Sequence, residues 1–345
     1  MVALRVLVCE DSRVYAAALR RMLEHDGDID VLAVCGTAEE AIAVLSRDAP
    51  DLVTMDIELP GMNGLEAVGE IMSSRPLPIL VLSSHVGPAS DQASTALAAG
   101  ALDVLAKDDL DLRDPAGTAA AAFRHRIRVL SQAQVIRHPG ARLTAGSGAA
   151  GLAHRASVIG VCASVGGPQM LMFLLSALPV DYPIPLLIVQ HVAAEFSDGL
   201  VRWLDGAVAI AVGAAADGMR ASPGAWLAPH GAHLTLTSTG QLALDRHTVA
   251  GHHRPSGDVL LASIAAAAGR AGVAVVLTGM GSDGAAGAAA VRHRGGLAIA
   301  QDEASSAVFG MPKAAIDLGV DLVLSPGDIV AGLLGLRREP LPGAR

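Results

Sequence analysis

Two sets of side chains in this sequence could do chemistry. The first is Glu10, Asp11, Asp56, Ser83 and Lys107: three carboxylates, a hydroxyl and an ammonium, each at or just after the end of a short apolar run. Carboxylates brought together repel, and a hard divalent cation such as Mg²⁺ relieves that repulsion. One carboxylate can then attack a phosphoryl group while the metal, the lysine and the hydroxyl hold the phosphoryl oxygens. The second set is Ser164, His191 and Asp283, again in segments that follow apolar runs. A serine nucleophile, a histidine base and an orienting aspartate, with backbone N–H groups as oxyanion hole, would perform acyl transfer. Taken singly, each residue has a plainer explanation. Aspartates commonly end strands and cap helices, Ser164 could cap the helix after it, and His191 could be a satisfied strand-end histidine.

A parallel sheet would let each set meet, because the carboxyl ends of parallel strands share one edge where ligands bind. The pattern supports that. Apolar runs over residues 4–9, 51–55, 79–82 and 104–106 predict strands, and amphipathic stretches over 14–24, 39–46 and 91–99 predict helices. Runs over 157–163, 186–190 and 273–278 predict the main strands of a second α/β series. Residues 225–228 and 233–237 read as a hairpin or strand pair at one edge. Between the two series the pattern gives way to Arg, Gln, Ser, Gly and Ala around Pro139-Gly140, a linker composition that follows a helical start near Phe123.

Composition narrows the function. At 345 residues, two domains are the default expectation, and a 52% hydrophobic content excludes a disordered chain. A net charge of −9 with interspersed basic residues argues against a nucleic-acid partner. Three scattered cysteines, Cys9, Cys35 and Cys162, point to buried free thiols and a cytoplasmic location. The start of the chain lacks the features of a signal peptide, and no uncharged apolar stretch is long enough for a membrane helix. His252-His253 lacks metal-ligand spacing, so no zinc site is expected.

Cys9-Glu10-Asp11-Ser12, the run from Met55-Asp56-Ile57-Glu58 to Asn63-Gly64, Ser83-Ser84 and Ala106-Lys107 resemble two-component receiver domains across essentially all of residues 1–124. The resemblance implies Asp56 as phosphoacceptor and Glu10, Asp11, Asp56 and the Glu58 backbone carbonyl as Mg²⁺ ligands. It also implies Ser83 and Lys107 as the phosphate-sensing pair. Two positions depart from the pattern: Asp108 follows the lysine where proline is usual, and Val104 stands where many receivers carry an aromatic switch residue.

The second half resembles the chemotaxis protein-glutamate methylesterase (CheB) family. The resemblance rests on Ala163-Ser164-Val165-Gly166-Gly167-Pro168, Gln190-His191, the segment from Ala228-Pro229-His230 to Leu234, and His253-Arg254-Pro255-Ser256. It continues through residues 277–287, Gln301-Asp302-Glu303 and Gly310-Met311-Pro312. It implies an α/β protein of two doubly wound parallel-sheet domains: a flavodoxin-like receiver over 1–124, a linker over 125–154, and a Rossmann-like methylesterase domain over 155–340. Ser164, His191 and Asp283 become the implied triad, with the Met280 backbone N–H helping to bind the oxyanion. The implied activity is hydrolysis of glutamyl methyl esters, and deamidation of glutamines, on methylated chemoreceptors. A chemotaxis histidine kinase is the implied phosphodonor, and phosphorylation relieves autoinhibition. Val165 departs from the Thr or Ser usual there. The alternatives are a phospho-regulated hydrolase of another signalling protein, or a non-catalytic receiver-output adaptor.

Overall fold

Aliphatic runs of five or six residues, bounded by glycine, proline or acidic residues, are too short for stable helices. They become strands that are buried on both faces of a parallel sheet. The computed structural model describes residues 3–84, 89–135, 154–249 and 253–341. The chain divides into two compact units, Met1–Arg137 and His138–Arg345.

The first unit alternates strand and helix: β1 (Leu4–Cys9), α1 (Arg13–Leu23), β2 (Ile29–Cys35), α2 (Ala38–Leu45), β3 (Leu52–Asp56), α3 (Gly64–Ser74), β4 (Ile79–Ser83), α4 (Ala89–Ala99), β5 (Asp103–Ala106) and α5 (Thr118–Ser131). The five strands form a parallel sheet in the order β2-β1-β3-β4-β5. This is the flavodoxin-like order, with its switch point between β1 and β3. β3 and β4 are buried throughout, whereas β2 lies at the edge with alternating exposure. That mixed face is why β2 is hard to place from its sequence. Helix α3 begins with a capping box between Asn63 and Glu66. Helix α5 buries Phe123, Ile127 and Leu130 on one stripe, so helix continues to Ser131, past residue 124. Of the expected linker, residues 136–153 lie outside the described residues.

The second unit contains β6 (Arg155–Ala156), β7 (Val158–Ala163), α6 (Gly167–Ser176), β8 (Leu186–Gln190), α7 (Ser197–Ala207), β9 (Val212–Ala214), β10 (Ala225–Leu227), β11 (His233–Leu236), β12 (Leu242–Asp245), α8 (Gly257–Ala268), β13 (Gly272–Val276), α9 (Ala285–His293), β14 (Leu297–Gln301), α10 (Met311–Asp317), β15 (Leu322–Leu324), α11 (Pro326–Gly335) and β16 (Arg337–Arg338). Seven strands form a parallel sheet in the order β15-β14-β13-β7-β8-β10-β9. The chain runs outward from β7 to one edge and returns to β13 on its other side, so the switch point lies between β7 and β13. Two apolar layers flank the sheet, one built around α6, α7 and α11, the other around α8, α9 and α10.

One expectation is corrected. Residues 225–228 and 233–237 do not pair with each other. β10 enters the main sheet parallel to β8 and β9, while β11 forms an antiparallel hairpin with β12. The turn signal lay further on, at Ser238-Thr239-Gly240, where Gly240 takes a φ of 76°. All three cysteines are free and buried.

Candidate active site and phosphoacceptor pocket

In the first unit, Asp56 is the last residue of β3, Ser83 the last of β4, and Glu10 and Lys107 follow β1 and β5 directly. Parallel pairing therefore gathers them at one sheet edge. One oxygen from each of Glu10, Asp11 and Asp56 lies within 4.8 Å of the others. Lys107 Nζ bridges the cluster, 2.6 Å from Glu10 Oε2 and 2.7 Å from Asp56 Oδ2. Glu58 donates its peptide N–H to Asp56 Oδ1 at 3.3 Å, and its carboxylate accepts from Ser84 Oγ at 3.0 Å. Ser83 is buried and paired in register with Ala106, beside Lys107.

Burial raises the Asp56 carboxyl above its usual range, and the charge of Asp11 adds to this against the hydrogen bond from Lys107. Burial raises Glu10 likewise, again opposed by the lysine. Lys107 is itself held above its usual value by Asp56 and Glu10, although burial works the other way. Three carboxylates thus face one ammonium. The residual negative charge and the oxygen spacing suit a hard divalent ion, whose metal–oxygen bonds are about 2.1 Å. Tyr15 on α1 packs its ring 4.6 Å from Lys107 Nζ, a cation–π contact that the spacing of the acidic residues did not suggest.

In the second unit, β7 and β8 pair with Ala163 opposite Gln190, so the next residues, Ser164 and His191, leave adjacent strand ends side by side. The peptide N–H of His191 donates to the Ala163 carbonyl at 3.0 Å, and Gln190 Nε2 donates to the Ser164 carbonyl at 2.8 Å. Gly166 turns the chain from Ser164 into α6 at a φ of 72°, where a Cβ would also stand 2.6 Å from that of Ala307. On the other side of β7, the loop after β13 passes against the serine. Ser164 N–H donates to the Thr278 carbonyl at 3.0 Å, and a Cβ on Gly279 would come within 2.8 Å of that of Ser164. Met280 is the next residue of this loop. Val165 is buried, and its carbonyl accepts from Thr278 Oγ1 at 2.9 Å.

His191 Nε2 lies 2.9 Å from Asp283 Oδ2. Among the described residues, His191 Nδ1 is buried without a hydrogen-bond partner. Asp283 also receives Ser256 Oγ–H at 2.7 Å and Asp258 N–H at 3.0 Å on Oδ1, and Gly257 N–H at 2.6 Å on Oδ2. Burial alone would raise this carboxyl, but the hydrogen bonds from His191, Ser256 and the two peptide groups hold it well below the usual carboxylate range. The other three donors, from Ser256, Gly257 and Asp258, belong to the N-terminus of α8, whose dipole adds to the effect.

Two neighbours were not assigned a role from sequence. Ser256 is the N-cap of α8 and donates its hydroxyl to Asp283. His253 stacks on His191, with ring centroids 4.1 Å apart and planes 14° from parallel. Cys162, two residues before Ser164, is fully buried, and burial pushes its thiol well above its usual value.

Comparison with known proteins gives two family matches. Residues 159–333 match the CheB methylesterase family, and residues 6–113 match the response regulator receiver domain. The chain belongs to the CheB methylesterase family. A Myxococcus xanthus (strain DK1622) protein named protein-glutamate methylesterase/protein-glutamine glutaminase 3 is 39% identical over 329 residues, covering 94% of this chain and 92% of that one. One from Paramagnetospirillum magneticum (strain ATCC 700264 / AMB-1), numbered 2 under the same name, is 36% identical and covers 96% of each. The crystal structure of the Thermotoga maritima CheB methylesterase catalytic domain is 35% identical, with a TM-score of 0.50. That match covers 52% of this chain and 97% of the other.

Proposed function

We propose that this chain is a phosphorylation-controlled serine esterase that hydrolyses glutamyl methyl esters, and deamidates glutamines, on chemoreceptors in the cytoplasm. The observation that carries the reading is the His191–Asp283 hydrogen bond of 2.9 Å at the strand edge that also presents Ser164. With Nε2 engaged by the carboxylate, Nδ1 is the nitrogen left to act as base.

In this reading Ser164 Oγ attacks the γ-carbonyl and its proton passes to His191 Nδ1. Asp283 stabilises the imidazolium, and the Met280 N–H receives the developing oxyanion. The C–O bond to methoxide then breaks, His191 returns the proton, and methanol leaves. Water, activated by the same imidazole, attacks the acyl-enzyme to give glutamate and restore Ser164. A glutamine follows the same course with ammonia as leaving group.

We assign the receiver to residues 1–124, extended to Ser131 by the rest of α5, and the esterase to 155–340, with a linker between. In the receiver, Asp56 takes the phosphoryl group from a histidine kinase, and Ser83 and Lys107 hold its oxygens. Glu10, Asp11, Asp56 and the Glu58 carbonyl would hold Mg²⁺, which when bound neutralises phosphoryl charge.

The test is methanol release from a methylated chemoreceptor fragment, with and without a small phosphodonor and Mg²⁺. Phosphodonor is expected to raise the rate about ten- to hundredfold, equivalent to ~1.4–2.8 kcal/mol of population shift. Ser164→Ala is expected to lower kcat on the order of 10⁴-fold or more. Near-normal release by folded Ser164→Ala would remove Ser164 as nucleophile.

A further inference from the structure

The four groups that donate to Asp283 come from His191 and from the turn Ser256-Gly257-Asp258. That turn is itself tied down from behind. Ser256 donates its peptide N–H to His233 Nδ1 at 3.2 Å, and His233 Nε2 lies 3.2 Å from the Thr248 carbonyl. His233, on β11, is 0% exposed, and Ser256 is 3% exposed. Arg254 donates to the same Thr248 carbonyl at 2.8 Å and to that of Arg246 at 2.9 Å.

The tautomer follows from these partners. A peptide N–H only donates, so Nδ1 must accept; a carbonyl only accepts, so the ring proton sits on Nε2. The ring is therefore neutral, with an acceptor and a donor fixed on one rigid plane. Few side chains can fill that requirement from a fully buried position, where each polar group needs its partner.

We propose that His233 is a positioning residue of the esterase: through the Ser256 peptide it holds the three-donor turn that grips Asp283 and so aims the His191 imidazole. It touches none of the reacting atoms. The inference rests on reading Ser164, His191 and Asp283 as a triad. Asparagine at 233 can place its amide oxygen near the Nδ1 position and keep the Ser256 bond, but lacks the reach to Thr248. Glutamine can place its amide nitrogen near the Nε2 position and keep the Thr248 bond, but offers no acceptor to Ser256.

The experiment compares His233→Asn, His233→Gln and Asp283→Asn in the full chain, activated with phosphodonor and Mg²⁺. The readouts are kcat and KM for methanol release, and the downfield NMR signal of the proton between His191 and Asp283. His233→Gln is expected to lower kcat about ten- to hundredfold, the scale of a misplaced reacting group, with KM within about twofold. It should also shift or broaden the downfield signal. His233→Asn is expected to stay within about threefold in kcat and to keep the signal. Wild-type kcat in His233→Gln, beside an inactive Asp283→Asn, would overturn the positioning role and leave the triad standing. Equal losses in both His233 variants, in step with their thermal midpoints, would overturn it as well, since a purely structural residue behaves that way. Full activity in Asp283→Asn would instead sink the triad reading on which the inference depends.

Discussion

Asp56, buried, and Asp283, part-buried, both lie near the carboxyl ends of central strands in parallel sheets, yet their surroundings treat them oppositely. Asp56 receives one peptide N–H and one lysine, with Glu10 and Asp11 crowding in, and its carboxyl is raised. Asp283 receives four donors and no nearby acid dominates, so its carboxyl is lowered. The difference is in what each oxygen is free to do. A carboxylate whose lone pairs are filled by hydrogen bonds is a fixed charge, suited to orienting an imidazole. One held by a single lysine and a single peptide N–H among like charges has lone pairs left open. Fold position alone does not decide the chemistry of a strand-end aspartate; the number of converging donors does.

The comparison breaks most visibly at Asp283. Asparagine there keeps one acceptor oxygen where the four donors use two, so two donors must face an NH₂; with the NH₂ at the Oδ2 position these are His191 and the Gly257 N–H. Steady-state assay of Asp283→Asn is expected to show kcat lower by about 10⁴-fold. A loss under tenfold would mean that the carboxylate charge is dispensable.

Asp56→Asn probes the other side. Mass spectrometry after treatment with phosphodonor and Mg²⁺ should find no added phosphoryl group. The ten- to hundredfold stimulation of methanol release should vanish with it, about 1.4–2.8 kcal/mol. Uptake at the wild-type rate would place the acceptor elsewhere.

The smallest effect is on stability, and its sign differs between the units. Asp283, with a lowered folded value, contributes stability that is full above the unfolded carboxylate value of about 3.9. That contribution is lost as pH falls through the folded value. Asp56 and Glu10, with raised folded values, act in reverse. Their contribution is full below the unfolded value and is lost as pH rises through the folded one. Pulse proteolysis across urea in Mg²⁺-free buffer, read on peptides from each unit, should show Asp283→Asn removing part of the esterase unit's loss below about pH 4, and Asp56→Asn removing part of the receiver unit's loss above it. Unchanged pH profiles in both variants would contradict the contrast.

Much of this was legible from sequence because a buried parallel strand announces itself as an aliphatic run, and the first polar residue after it lands on the shared edge. That logic places Glu10, Asp56, Ser83, Lys107, Ser164 and His191 at strand ends. It could not find Ser256 as a ligand of Asp283. The local signal, a serine ahead of an apolar helix, says only that a helix begins there. That the same cap also serves a carboxylate 27 residues onward depends on how α8 packs beside the loop after β13. His233 was hidden for a related reason: an isolated histidine in an apolar strand carries no spacing to mark its partners. The β10 and β11 misreading came from treating two nearby short runs as neighbours, when burial on both faces sends the first into the main sheet.

The short parallel pair of β6 and β16 has a consequence for how this esterase can be handled as a part. Arg337 N–H donates to the His154 carbonyl at 3.0 Å and Glu339 N–H to that of Ala156 at 2.8 Å, so the chain enters and leaves the unit at one spot. A module whose ends meet behaves as a cassette. It can be spliced into a surface loop of another protein, or closed on itself and reopened elsewhere, without pulling its sheet apart.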